Sequence, residues 1–214
     1  MTFSPLELFL LLVAIIGPLK PTVILASAAS SSGADPAEVR SVALRAALTA
    51  SSILLLFIVL GEFLLDMFKV SIPAFQIGGA IVLLVFALQT IIEDPEKAKQ
   101  EGQGLSISPS FAIYPLAIPL MSSPAVLILI ISLVGETDGF APLLPLIGMI
   151  ALIMAVDYVF MRNCIGIARA LSPAVTLALG KVVAVLLVGL AVELMFVGLN
   201  SWGVVSIEGL KASG

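Results

Sequence analysis

The chain has 214 residues, 60% of them hydrophobic and only 11% charged, with a mean hydropathy of +1.22. Soluble domains hold about 45–50% apolar and about 25% charged residues, so this composition excludes an ordinary soluble domain and marks a polytopic membrane protein. The formal net charge is −4, there is no histidine, and Cys164 is the one cysteine. A disulfide framework is thereby excluded, and the commonest proton switch and transition-metal ligand are both missing.

Met1–Glu7 carries no basic residue and no small-residue cleavage site closes the first apolar run, so that run reads as a permanent span rather than a signal peptide. A spanning helix needs about 20 mostly apolar residues. Six segments are expected to qualify, at about 6–26, 42–66, 72–92, 111–134, 142–162 and 175–199. The first contains Gly17-Pro18-Leu19-Lys20-Pro21, a proline-bracketed break. Ser27–Glu38 follows as a Ser/Ala/Gly turn ending in Asp35-Pro36. Phe68-Lys69-Val70-Ser71 is short enough to make spans two and three an antiparallel hairpin. Glu93–Gly104 is the longest charged loop, and beyond it the fourth span holds a second break, Ile118-Pro119-Leu120-Met121-Ser122-Ser123-Pro124.

Basic residues set the orientation. Arg40, Arg45, Lys97, Lys99, Arg162 and Arg169 fall in loops one, three and five, against Lys69 and Lys211 on the opposite side. Loops one, three and five are therefore expected in the cytoplasm and both termini outside. The breaks recur at an offset of about a hundred residues, as do the endings Val85-Phe86-Ala87-Leu88-Gln89 and Gly189-Leu190-Ala191-Val192-Glu193. Three spans per copy is an odd number, so the second copy inserts upside down, and an inverted repeat sets its two broken helices face to face near the midplane. The expected fold is an all-α membrane protein of six transmembrane helices in an inverted 3+3 repeat, with helices one and four broken. The expected divisions are a first repeat at 1–92, a charged cytoplasmic loop at 93–110, a second repeat at 111–200 and an outward tail at 201–214.

Two runs carry a family resemblance. Gly61-Glu62-Phe63-Leu64-Leu65-Asp66-Met67-Phe68 with Ser71-Ile72-Pro73-Ala74-Phe75-Gln76-Ile77-Gly78-Gly79 resembles the second-to-third-helix signature of the MarC family. Tyr114-Pro115-Leu116-Ala117-Ile118-Pro119-Leu120 is similar to that family's fourth-helix motif. The resemblance covers essentially the whole chain and implies six helices, the wider LysE-type transporter superfamily, and the bacterial or archaeal cytoplasmic membrane. It also implies movement of small neutral amino acids such as alanine and glycine. This chain departs from the pattern at both breaks. The usual N-P-x-G-x-x-P reads Gly17, Pro18, Leu19, Lys20, Pro21, Thr22, Val23, and the usual A-G-P-G reads Ser122-Ser123-Pro124-Ala125.

A tolerated break must line a cavity or be buried in protein. Pro18, Pro21, Pro119 and Pro124 free helix carbonyls and remove amides, so backbone groups become available at midplane. A half-helix N-terminus beyond each break would attract a carboxylate, and Gly17, Ser122 and Ser123 could contact the same ligand. The plainer reading is a packing kink with serines that cap turns. Lys20 and Lys181 are expected about six residues, and Asp157 about five, from the cytoplasmic ends of their helices. At about 1.5 Å per residue the three share one layer, as a substrate or proton-exchange site or as a fixed ion pair. Lys181 could also snorkel to the surface. Glu193 is a candidate coupling carboxylate or a residue that bonds a neighbouring helix. Gly78-Gly79-Ala80 and Gly180 with Ala184 read as close-packing faces.

No Walker loop, G-x-S-x-G, metal-ligand spacing or basic nucleic-acid patch is present, so no enzyme, cofactor, metal site or nucleic-acid partner is expected. The expected function is secondary export of a small polar metabolite such as a neutral amino acid, from a midplane site between helices one and four. The alternative is a non-transporting structural or assembly subunit of a membrane complex. The expected partners are the lipid bilayer and a small-molecule substrate, with a homo-oligomer left open.

Overall fold

A computed structural model describes residues 5–92, 105–135, 143–170 and 173–204. Every element among them is helical. In chain order they are α1 (Pro5–Ile16), α2 (Leu19–Ser32), α3 (Pro36–Met67), α4 (Ile72–Ile92), α5 (Pro109–Met121), α6 (Pro124–Val134), α7 (Leu143–Arg162), α8 (Cys164–Ala170) and α9 (Pro173–Ser201). Five helical stretches are long and apolar enough to cross a membrane, Leu8–Ser32 being one, and a sixth is available if the α5–α6 pair, bent by 57°, counts as one span.

Local chemistry explains most helix ends. α3 starts at Pro36, whose missing amide is harmless at the first helical position. Ahead of it, the Glu38 carboxylate accepts the Asp35 N–H at 3.2 Å. α2 ends at Gly33, which takes the left-handed conformation (φ 64°). α3 closes in a Schellman arrangement, with the Val70 N–H on the Leu65 carbonyl at 2.9 Å and the Lys69 N–H on the Asp66 carbonyl at 3.0 Å. Lys69 occupies the left-handed position at φ 55°, where glycine is the usual residue.

Two boundaries differ from the sequence reading. Helix α2 continues through Ser27–Ser32, which composition assigned to a turn. The hydroxyls of Ser31 and Ser32 both bond back to the Ala28 carbonyl, at 3.1 and 2.8 Å, so serine here does not compete with the helix. The link between spans five and six contains α8, which packs along α2. The charged loop 93–104, with Lys97 and Lys99, and the tail beyond 204, with Lys211, lie outside the described residues.

α4 and α9 form the most extensive helix pair, and α3 with α7 the next. α6 sits under both α3 and α4 at glycine contacts. A Cβ on Gly61 would come 2.9 Å from Ile131, and one on Gly79 would collide with Ile128. Gly198 similarly lets α9 approach the Pro73 carbonyl, 2.9 Å from where a Cβ would stand. Gly79 and Ala80 thus serve packing, as expected, whereas Gly78 and Gly180 face open space. The core is one large apolar cluster including Leu12, Ile24, Leu54, Leu83, Leu116 and Ile150, with a smaller one formed by Ala80, Ile128 and Leu194. Large apolar side chains such as Leu56, Phe63, Leu152 and Leu186 remain outside it, as a lipid-facing surface requires. Gly79→Val is expected to lower stability by about 1–3 kcal/mol, because Ile128 cannot move without repacking the core. Gly78→Val, at an open position one residue away, should change little. Thermal melting of both variants in detergent checks this, and equal melting points would contradict the assigned contact.

Candidate functional site

The first interruption is set by Gly17 and Pro18. Gly17 is left-handed (φ 54°), and its N–H closes the end of α1 on the Val13 carbonyl at 3.0 Å. Pro18 cannot donate and leads into α2. Pro21, also without an amide, is buried in the first turn of α2. Thr22 then ties back to the Pro18 carbonyl through both its N–H and its hydroxyl. Lys20 lies in this first turn of α2 and is half-buried. Lys20 stands midway between Leu8 and Ser32, deeper than a helix ending near residue 26 would place it. A cation in the first turn opposes the helix dipole, so helix formation does not favour lysine there.

The second interruption is broader. Tyr114 (φ −127°, ψ 123°) and Ile118 (φ −123°, ψ 123°) are extended within α5, and each precedes a proline. Steric conflict with the proline ring drives the preceding residue out of the helical region. Ser122 and Ser123 are then buried at the junction with α6. The Ser123 hydroxyl accepts the Val126 N–H at 3.4 Å, and Pro124 occupies the first position of α6. The Ser122 hydroxyl has no hydrogen-bond partner among the described residues. Pro119 and Pro124 are exposed.

The two interrupted stretches lie side by side. α1 touches α6, and α2 touches α5, so the first half of one stretch meets the second half of the other. That pattern is antiparallel. α2 also packs on α7, the helix that carries Asp157. Asp157 is fully buried, and neither carboxyl oxygen has a hydrogen-bond partner among the described residues. The half-buried Lys181 and the exposed Glu193 are on α9, whose main neighbour is α4. Gln89 is exposed on α4.

Sequence reasoning passed over three buried polar side chains, Thr22 on α2, Gln76 on α4 and Ser132 on α6. The Ser132 hydroxyl has no partner among the described residues. Their one signal was an uncharged polar residue inside an apolar run, which is too common to single out. A cavity of about 240 Å³ lies elsewhere, lined by Pro36, Val39 and Arg162–Gly166. Cys164 borders it and is buried, and burial pushes its thiol up to about 11. An unreactive thiol follows.

A model of the MarC family, described as MarC family integral membrane protein, matches residues 4–202. The chain belongs to the MarC family. Among its relatives, a UPF0056 membrane protein of Aquifex aeolicus is 30% identical over 59% of this chain and 60% of its own length. The UPF0056 membrane protein YhcE of Escherichia coli is 33% identical over 38% of this chain and 39% of its own. YvbG of Bacillus subtilis is 24% identical over 74% of this chain and 79% of its own. For the first two relatives the shared stretch is less than two thirds of their length. No solved structure matches the chain. MarC membership makes this a multi-pass integral membrane protein in contact with lipid.

Proposed function

We propose that this MarC protein is a secondary transporter that exports a small polar metabolite, such as a neutral amino acid, by alternating access at a midplane site between its first and fourth spans. The observation that carries the reading is the antiparallel meeting of the two interrupted stretches, α1 on α6 and α2 on α5. Broken helices at membrane depth are tolerated where they line a cavity or are buried in protein, and paired ones are where transport sites form.

The helix contacts support an inverted 3+3 repeat. Exchanging spans one with four, two with five and three with six leaves the span-to-span neighbours unchanged. α3 on α7 and α4 on α9 map onto themselves. α3 against α5 and α6 becomes α7 against α1 and α2, and span three on span four becomes span six on span one, although α4 meets the second half of span four and α9 the first half of span one. Arg162 shares a cavity with Pro36 and Val39, so loops one and five lie on one side. Their basic residues favour the cytoplasm for that side and the outside for both termini. A substrate carboxylate would meet the Lys20 ammonium and the first-turn amides of α2, with the Ser122 hydroxyl offering a further hydrogen bond. Asp157 would carry the coupling charge.

One observation favours the alternative of a non-transporting assembly subunit. Met121, Ser122 and Ser123 are buried, and Ser123 already caps α6, so the fourth-span break is closed. A transporter must open it. Efflux from liposomes containing the purified protein and loaded with labelled small neutral amino acids separates the two. Saturable efflux of at least one compound is expected, and a folded protein that releases none would favour the assembly reading.

A further inference from the structure

Helices α4 and α9 are each other's main neighbour, and they join the remaining spans chiefly through α4 on α6 and α9 on α1. α1 and α6 are the outer halves of spans one and four in the orientation proposed above. Both junctions of the α4–α9 pair therefore lie toward the outside.

The α4–α6 junction has a definite register. Ile72 meets Gly135 and Gly79 meets Ile128, so the two helices run antiparallel. Gln76 consequently stands level with Ile131 and Ser132. Ser132 is four residues from Ile128 and three from Gly135, which puts it on the same face of α6 as both. From the other side of α4, Gly198 lies against Gln76 and the Pro73 carbonyl. The apolar part of this seam, Ala80, Ile128 and Leu194, is a cluster separate from the main core.

A permanent seam would not select such a layer. Gln76 and Ser132 are buried polar side chains, and the Ser132 hydroxyl has no hydrogen-bond partner among the described residues. An unpaired buried hydroxyl weakens the closed packing, where alanine would fit as well. Its retention is explained by a second conformation that brings it to water or to a polar solute.

We infer that the α4–α6 seam is the outer gate of the export path, with Gln76 and Ser132 lining the way out for a small polar solute once the α4–α9 pair swings from α6. The inference rests on the transport reading and names the contact that must part. The pair moves as a unit because α4 and α9 hold each other more extensively than either holds its junction. α6 is only 11 residues long and follows the Ser122-Ser123 break at a 57° bend, so the outer half of span four is mechanically separate from its inner half. Gly79 on Ile128 and Gly135 on Ile72 keep the gate shut in the present conformation.

Two measurements test the gate, both in a Cys164→Ser background. In right-side-out vesicles, Ser132→Cys should react with a membrane-impermeant thiol reagent added outside. Ile130→Cys, also buried but on the far face of α6, should not. An Ile72→Cys, Gly135→Cys double variant should form a disulfide on mild oxidation, since a Cβ on Gly135 would stand 3.2 Å from the Ile72 Cγ1. With that bridge closed, efflux from liposomes should be lost, and a reductant should restore it. An unlabelled Ser132→Cys, equal labelling of Ile130→Cys, or unchanged efflux across a formed disulfide would each overturn the gate. A wild-type protein that exports none of the small neutral amino acids would withdraw the transport reading, and the labelling alone would then decide whether the seam opens.

Discussion

A Lys20→Met chain is expected to export about 10- to 100-fold more slowly while folding normally, the loss of one charge-assisted contact to a substrate carboxylate. Methionine keeps the length of the lysine stem, so packing around α2 should survive. The helix itself should not suffer, because a cation at the N-terminal end of α2 works against its dipole. Removing that charge is neutral or slightly favourable for the helix alone. Lys20 sits at mid-span in the first turn of α2, beside an interruption bracketed by prolines. Efflux from liposomes and thermal melting should be measured on the same preparation. Unchanged efflux would remove Lys20 from the site, and lost efflux with a lower melting point would make it structural.

Asp157→Val should part stability from function. The Asp157 carboxyl is fully buried with no partner for either oxygen among the described residues. Burying a polar group without a hydrogen bond costs about 1–3 kcal/mol, and replacing it by a similar apolar volume recovers much of that. The variant is therefore expected to be more stable by about 1–3 kcal/mol and to lose coupled export. A group kept against the interest of stability is what a functional site requires. A structural ion pair predicts the opposite, since removing one partner strands the other charge. A less stable Asp157→Val with normal export would favour the assembly reading and withdraw Asp157 from coupling.

Legibility in the sequence varied with the physics behind each feature. The spans were readable because hydrocarbon demands about 20 apolar residues in a row, and a run such as 72–92 meets that demand with the bounds of α4 itself. Ends were less readable where small residues decide them. Ser27–Ser32 has the composition of a loop, yet its hydroxyls bond back to the helix and α2 continues. The bend between α5 and α6 follows from prolines visible in the chain, but the extended backbone at Tyr114 and Ile118 widened it beyond the expected break. Ser122 and Ser123 are adjacent and chemically identical, and only packing separates a capping hydroxyl from one with no partner.

By itself the sequence determined that the protein lives in a membrane, where its helices run, and that two of its apolar stretches are interrupted by proline. Composition and periodicity suffice for these because each is a local response to hydrocarbon or to a missing amide. The tertiary structure decided what the interruptions meet. It laid α1 on α6 and α2 on α5, buried Asp157 without a partner, and turned Glu193 outward on the face of α9 opposite α4. In an apolar chain nearly every residue is acceptable inside or against lipid, so hydropathy cannot say which face of a helix is which. Close contacts at Gly61, Gly79 and Gly198 set the rotation of α3, α4 and α9, and that rotation assigns each polar side chain its surroundings.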